Sequence, residues 1–159
     1  MRRLVAVLAT VAAAAALTGT AAPGASAGGA SAAAEYGCNG SLINTYPVRT
    51  PAGAVWGNIR LYYDGSTGRN CAVNVKTAAG GSGTRGWTSV NLYRCASSTP
   101  GRPCRWQDET YDGDGGPYAY YAGPVSIPAA GKCIRVTGFV GTAPSNASGG
   151  SGTNGVHCG

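Results

Sequence analysis

The residues best suited to chemistry crowd into one short stretch. Asp108 to Tyr121 reads DETYDGDGGPYAYY and holds four of the six carboxylates and four of the nine tyrosines. A calcium loop needs several oxygen ligands converging on one point, and Asp108, Asp112 and Asp114 are its candidates. The spacing is not that of an EF-hand, because no glutamate closes the loop at its twelfth position and no helical pattern flanks it. A glycosidase would draw a pair of carboxylates from Asp64, Asp108, Glu109, Asp112 and Asp114. So local a cluster is more often a solvated loop than an acid and its partner across a cleft. The simplest expectation is that Asp112-Gly113 and Asp114-Gly115 form a tight turn and that the tyrosines belong to the next strand.

Other chemistry is thinly supported. A Ser-His-Asp arrangement would have to use His157, the one histidine, which sits beside Cys158 in a glycine-rich tail. The segment CASSTPGRPC, Cys95 to Cys104, could be a disulfide-closed loop presenting Arg102 to a serine protease, since preorganisation lowers the cost of binding. Pro103 after Arg102 makes a poor bond for trypsin-like enzymes, and hairpin chemistry explains the same prolines and glycine. Exposed aromatic rings could stack on sugars or anchor a partner, the candidates being Trp56, Tyr62, Tyr118, Tyr120 and Tyr121. The bland alternative is that these rings fill sites where loops cover a sheet.

The elements that must position these residues are read from composition and alternation. The opening MRRLVAVLATVAAAAALTGTAAPGASA has two arginines, a short alanine-rich apolar run and an Ala-Ser-Ala triplet at Ala25 to Ala27. It predicts a secretory signal peptide over 1–27, with cleavage as late as 34, and a single exported domain over 28–159. Losing Arg2 and Arg3 would lower the formal charge from +6 to +4, and the remaining basic residues are scattered singly, which argues against nucleic acid. No later apolar run approaches a membrane-spanning length.

Six cysteines, Cys38, Cys71, Cys95, Cys104, Cys133 and Cys158, imply three disulfides in an exported chain, with fifteen possible connectivities. Zinc is disfavoured, because there is no CxxC and only one histidine. Cys95 and Cys104 are the pair supported locally, across the base of a hairpin loop.

After the leader, the period is two rather than 3.6. AVWGNIRLYY sets Val55, Ile59, Leu61 and Tyr63 on one face and Trp56, Asn58, Arg60 and Tyr62 on the other. Across the turn DGSTGRN, the segment CAVNVK should point Cys71, Val73 and Val75 inward and Asn74 and Lys76 outward. WTSVNLYRC should pair with CRWQDETY, and further strands are expected at YAYYAG with PVSIP and at KCIRVTGFV. The Gly/Ser-rich segment 141–157 should order poorly unless tied down, and Cys158 supplies a tie. The expectation is an all-β antiparallel domain, a small sandwich with a barrel as the alternative, stapled by three disulfides.

The segments GAVWGNIRLYY, GRNCAV, YYAGPV and GKC, with a cysteine one residue from the C-terminus, resemble the spore-associated protein A family of small proteins secreted by streptomycetes. The likeness covers most of the mature chain and lies in strand and cysteine pattern rather than in a catalytic motif. It implies an extracellular location, with the spore surface as one site, but no defined activity and no site residues; taken with the leader, cysteines and strands, the expectation is a non-enzymatic protein without a cofactor, associated with spore or cell-surface components. It also implies that Cys95 and Cys104 are an added pair, and that the other four join as Cys38–Cys158 and Cys71–Cys133.

Overall fold

Alternating strands broken by glycine turns produce one rolled sheet. The computed structural model describes residues 34–105, 110–142 and 145–159. The expected leader over 1–27 lies outside the described residues, as do Asp108 and Glu109. The described residues form eight strands: β1 (Ser41–Arg49), β2 (Val55–Asp64), β3 (Arg69–Lys76), β4 (Gly86–Arg94), β5 (Tyr111–Tyr118), β6 (Tyr121–Pro128), β7 (Ile134–Thr142) and β8 (Ser145–Gly150). Neighbours pair antiparallel in the order β5-β4-β7-β8-β1-β2-β3-β6. The sheet takes the barrel-like form, the alternative to the preferred sandwich, because the ends of that order, β5 and β6, are brought together by side-chain hydrogen bonds and nearly close it.

The interior is filled by branched aliphatics, including Ile59 and Leu61 of β2, Val90 and Leu92 of β4, Val125 and Ile127 of β6, and Ile134 and Val136 of β7. In β3 the expected phase is inverted. Ile59 lies opposite Asn74 and Leu61 opposite Ala72, so Ala72 and Asn74 face the interior, while Cys71 lies beside Tyr62 on the outer face. The alternation misleads because both faces of β3 are covered. Residues 35–38 lie over the outer face, and Cys38, Tyr62, Cys71 and Val73 make a second apolar cluster there.

Asn74 is tolerated inside because its Nδ2 donates to the carbonyls of Ser89 (3.0 Å) and Phe139 (3.2 Å), stitching β3 to β4 and β7. A Cβ at Gly57 would strike Asn74 Oδ1, so the glycine makes its room. Lys76 is also buried. Its Nζ donates to the Thr84 carbonyl at 2.7 Å, and desolvation holds its pKa below the usual lysine value.

Two strands arise where alternation does not signal them. β1 is exposed along most of its length and is held chiefly by its ladder to β2. β8 comes from the segment expected to order poorly, and it sits between β7 and β1. It fits because Gly149 and Gly150 carry no Cβ: one at Gly149 would meet the Pro47 carbonyl, and one at Gly150 that of Val136.

Three disulfides staple the barrel: Cys38–Cys71, Cys95–Cys104 and Cys133–Cys158. The second is the locally expected pair. The pairing implied by the family resemblance, Cys38–Cys158 and Cys71–Cys133, is not formed. Cys71 points outward under residues 35–38, whereas Cys133 meets Cys158 in a separate cluster with Cys95 and Cys104, where Val156 pairs with Ile134.

Candidate functional site

Asp112 and Asp114 of the acidic stretch sit in a strand rather than a turn. Leu92 lies opposite Asp112 and Val90 opposite Asp114, so the two Asp-Gly dipeptides run through the middle of β5. This corrects the expectation of a tight turn there, and it moves the partner of β4 downstream of CRWQDETY. Asp112, Asp114 and Tyr118 share the face turned toward β6, while Gly113 and Gly115 alternate on the other face beside Asn91 and Ser89.

β5 and β6 are consecutive, yet among the described residues no backbone ladder joins them. Side chains take its place. Asp114 Oδ2 accepts the Gly123 N–H at 2.6 Å and Asp112 Oδ2 accepts the Ser126 N–H at 2.7 Å. The Tyr118 hydroxyl donates to Asp114 Oδ1 at 2.7 Å, and that bond holds the phenol pKa above its ordinary value. Charge-assisted bonds of this length are about twice as strong as neutral ones and satisfy N–H groups that an open edge would leave free.

A groove of about 430 Å³ runs beside this seam, lined by Gly37, Asn39, Asp64, Thr67, Arg69, Cys71, Asp112, Pro124 and Ser126. Arg69 is held at the groove, with Nε donating to Ser126 Oγ at 3.1 Å and Nη2 to the Ser126 carbonyl at 2.7 Å. Asp64 accepts from Ser66 N, Ser66 Oγ and Thr67 Oγ1, and these bonds depress its pKa. A second hollow of about 300 Å³, lined by Tyr118, Ala119, Tyr120, Tyr121 and Gly123, adjoins the groove at Gly123-Pro124.

The N-terminal segment reaches the groove through Gly37 and Asn39. Glu35 pairs with Arg60 at 2.8 Å and accepts the Tyr62 hydroxyl at 2.8 Å. Burial first, and then this bond, push the Tyr62 pKa up to about 12. The Tyr36 ring lies under the Arg60 guanidinium and meets Tyr121 edge-on at 5.2 Å.

The candidate aromatic residues therefore divide. Tyr120 is 62% exposed, Tyr121 is partly exposed, and Tyr118 is half-buried at the same hollow. Tyr62 is only 3% exposed and offers no free ring, which corrects its placement on an open outer face. Trp56 is half-buried against the core, away from that hollow, beside Thr50, Pro51 and Asn146. Sequence reading missed Asn39, Arg69 and Ser126. The first two flank Cys38 and Cys71, so the correct disulfide would have placed them together.

The remaining candidates are structural in setting. Gly101 donates to the Gly155 carbonyl, Gly155 to that of Arg102, and Cys104 to that of Thr153, so the loop of Arg102 lies along the tail. That engages backbone which an inhibitory segment would offer to a protease. His157 Nε2 lies 2.9 Å from the Tyr46 hydroxyl and 3.2 Å from Asn44 Nδ2, and burial lowers its pKa. Of the calcium candidates, Asp112 and Asp114 are tied to β6, and among the described residues no three His, Cys, Asp or Glu side chains converge as a metal group.

No protein-family model matches the chain, and no solved structure matches it. A relative is found among curated proteins at 29% identity over 145 residues, covering 89% of this chain and 82% of the relative. Over nearly its whole length, then, the chain is similar to spore-associated protein A of Streptomyces coelicolor, in keeping with the resemblance carried by its strand and cysteine pattern.

Proposed function

We propose that the protein is a secreted, non-catalytic β-barrel that works by association with the spore or cell surface. The observation that carries this reading is the employment of its carboxylates. Each of the four described ones holds structure: Glu35 the N-terminal segment, Asp64 the β2–β3 turn, and Asp112 and Asp114 the seam. A general acid or nucleophile needs a carboxyl group free to reach a substrate. The leader pattern and three disulfides favour an oxidising, extracellular setting, and the name of the relative favours the spore.

The test is quantitative mass spectrometry of mature peptides in washed spores, vegetative wall and culture medium, with and without reductant. Enrichment on spores or wall is the expected result. Recovery almost wholly in the medium, or turnover of a defined substrate abolished by a single carboxylate substitution, would overturn the reading.

A further inference from the structure

The seam groove and the tyrosine hollow beside it form one strip with two kinds of chemistry. At one end Asn39 and Arg69 supply donors, while Asp64, Asp112 and the Thr67 hydroxyl oxygen supply acceptors, around a cavity of about 430 Å³. At the other end Tyr120 presents an exposed ring, and Tyr121 is braced edge-on by Tyr36. The two meet at consecutive residues of β6, Gly123 lining the hollow and Pro124 the groove. From Tyr121 to Ser126 the strip spans on the order of 15 Å at the usual rise of a strand.

The balance of groups selects the ligand. Two carboxylates around one guanidinium repel phosphate, sulfate and uronate. Arg69 is held by both Ser126 contacts, and its charge opposes a bare metal ion. Apolar lipid would leave the polar end without hydrogen-bond partners. A polyhydroxylated ligand fits both ends, because each hydroxyl both donates and accepts and the C–H face of a sugar ring packs on an aromatic ring.

We infer that the strip from Tyr120 to Arg69 binds a neutral polysaccharide chain, the polar groove taking hydroxyls and the tyrosines taking ring faces. The inference deepens the surface-association reading and rests on it, by naming a glycan as the surface component.

The test is titration of the secreted protein with soluble neutral tetrasaccharides, a β-1,4-glucan and a tetramer of N-acetylglucosamine, with an oligouronate as the charged comparison. Tyr120→Ala and Asn39→Ala remove exposed side chains and should leave the melting temperature unchanged. At least one neutral tetrasaccharide should bind, each variant should weaken it at least tenfold, and the oligouronate should bind less tightly. No binding to either neutral probe, or binding unchanged in both variants, would overturn the inference. Retention of both variants on washed spores at wild-type levels would also sink it while leaving surface association standing. Release of the wild type into the medium would strike the surface reading alone, because the titration is read separately.

Discussion

At the β5–β6 seam, two aspartates accept backbone N–H groups from the facing strand, and a groove stays open beside them. At the tail, Cys95–Cys104 and Cys133–Cys158 pack together, and residues 153–156 are hydrogen-bonded along Arg102 to Cys104 and Ile134. The seam is closed by side-chain bonds that leave polar groups near solvent. The tail is closed covalently and tightly, to the point that a Cβ on Gly155 would strike Cys133. The contrast follows from composition. A segment of small residues has little apolar surface to bury and needs a tether, whereas β6 lies on the core and β5 is laddered to β4, so that only their facing edges need satisfying.

Breaking the tether should have the largest effect. Replacing Cys133 and Cys158 together with serine should cost about 3 to 4 kcal/mol on the loop-entropy model and expose residues 151–159 to proteolysis. Calorimetry and peptide mapping would check both parts, and cleavage confined to the seam would reverse the assignment.

At the seam, Asp114→Ala removes the acceptor of both Gly123 and Tyr118 and should destabilise by about 2 to 3 kcal/mol. Asp114→Asn keeps an acceptor oxygen and should cost about half as much, a ratio that denaturant titration can read. Equal losses would mean that the charge contributes nothing to closure.

The segment beside the groove gives a smaller effect with a pH signature. The Tyr62 pKa is raised in the folded state, so its contribution is intact below pH 10 and is lost as pH rises toward about 12. Tyr62→Phe should cost about 1 kcal/mol at neutral pH and flatten that alkaline decline, as chemical denaturation across the range would show.

The smallest effect belongs to His157. Burial lowers its pKa, so the folded state resists its protonation, and stability at the tail should fall as pH drops below 6.5. Hydrogen exchange at residues 156–158 should quicken over that range. Asn tolerates the positive φ of 49° found at this position, so His157→Asn should abolish the dependence without straining the backbone.

Alternation alone determined that the chain is all-β. It located β2, β3, β4, β6 and β7, because half-buried strands show period two whatever they pack against. Cysteine count and spacing determined three bridges and the Cys95–Cys104 pair, since ten residues closing a hairpin leave little choice. Only the tertiary structure decided the rest. β1 and β8 are held by ladders and glycine contacts that leave no mark in hydropathy. The face of Asn74 followed from the register against Ile59, because β3 is covered on both sides. Asp112 and Asp114 looked like a turn or a ligand cluster until β6 was brought opposite them. Their role, the partner of Cys71 and the groove between Asn39 and Arg69 all depend on residues distant in sequence, and only the closing of the barrel makes them neighbours.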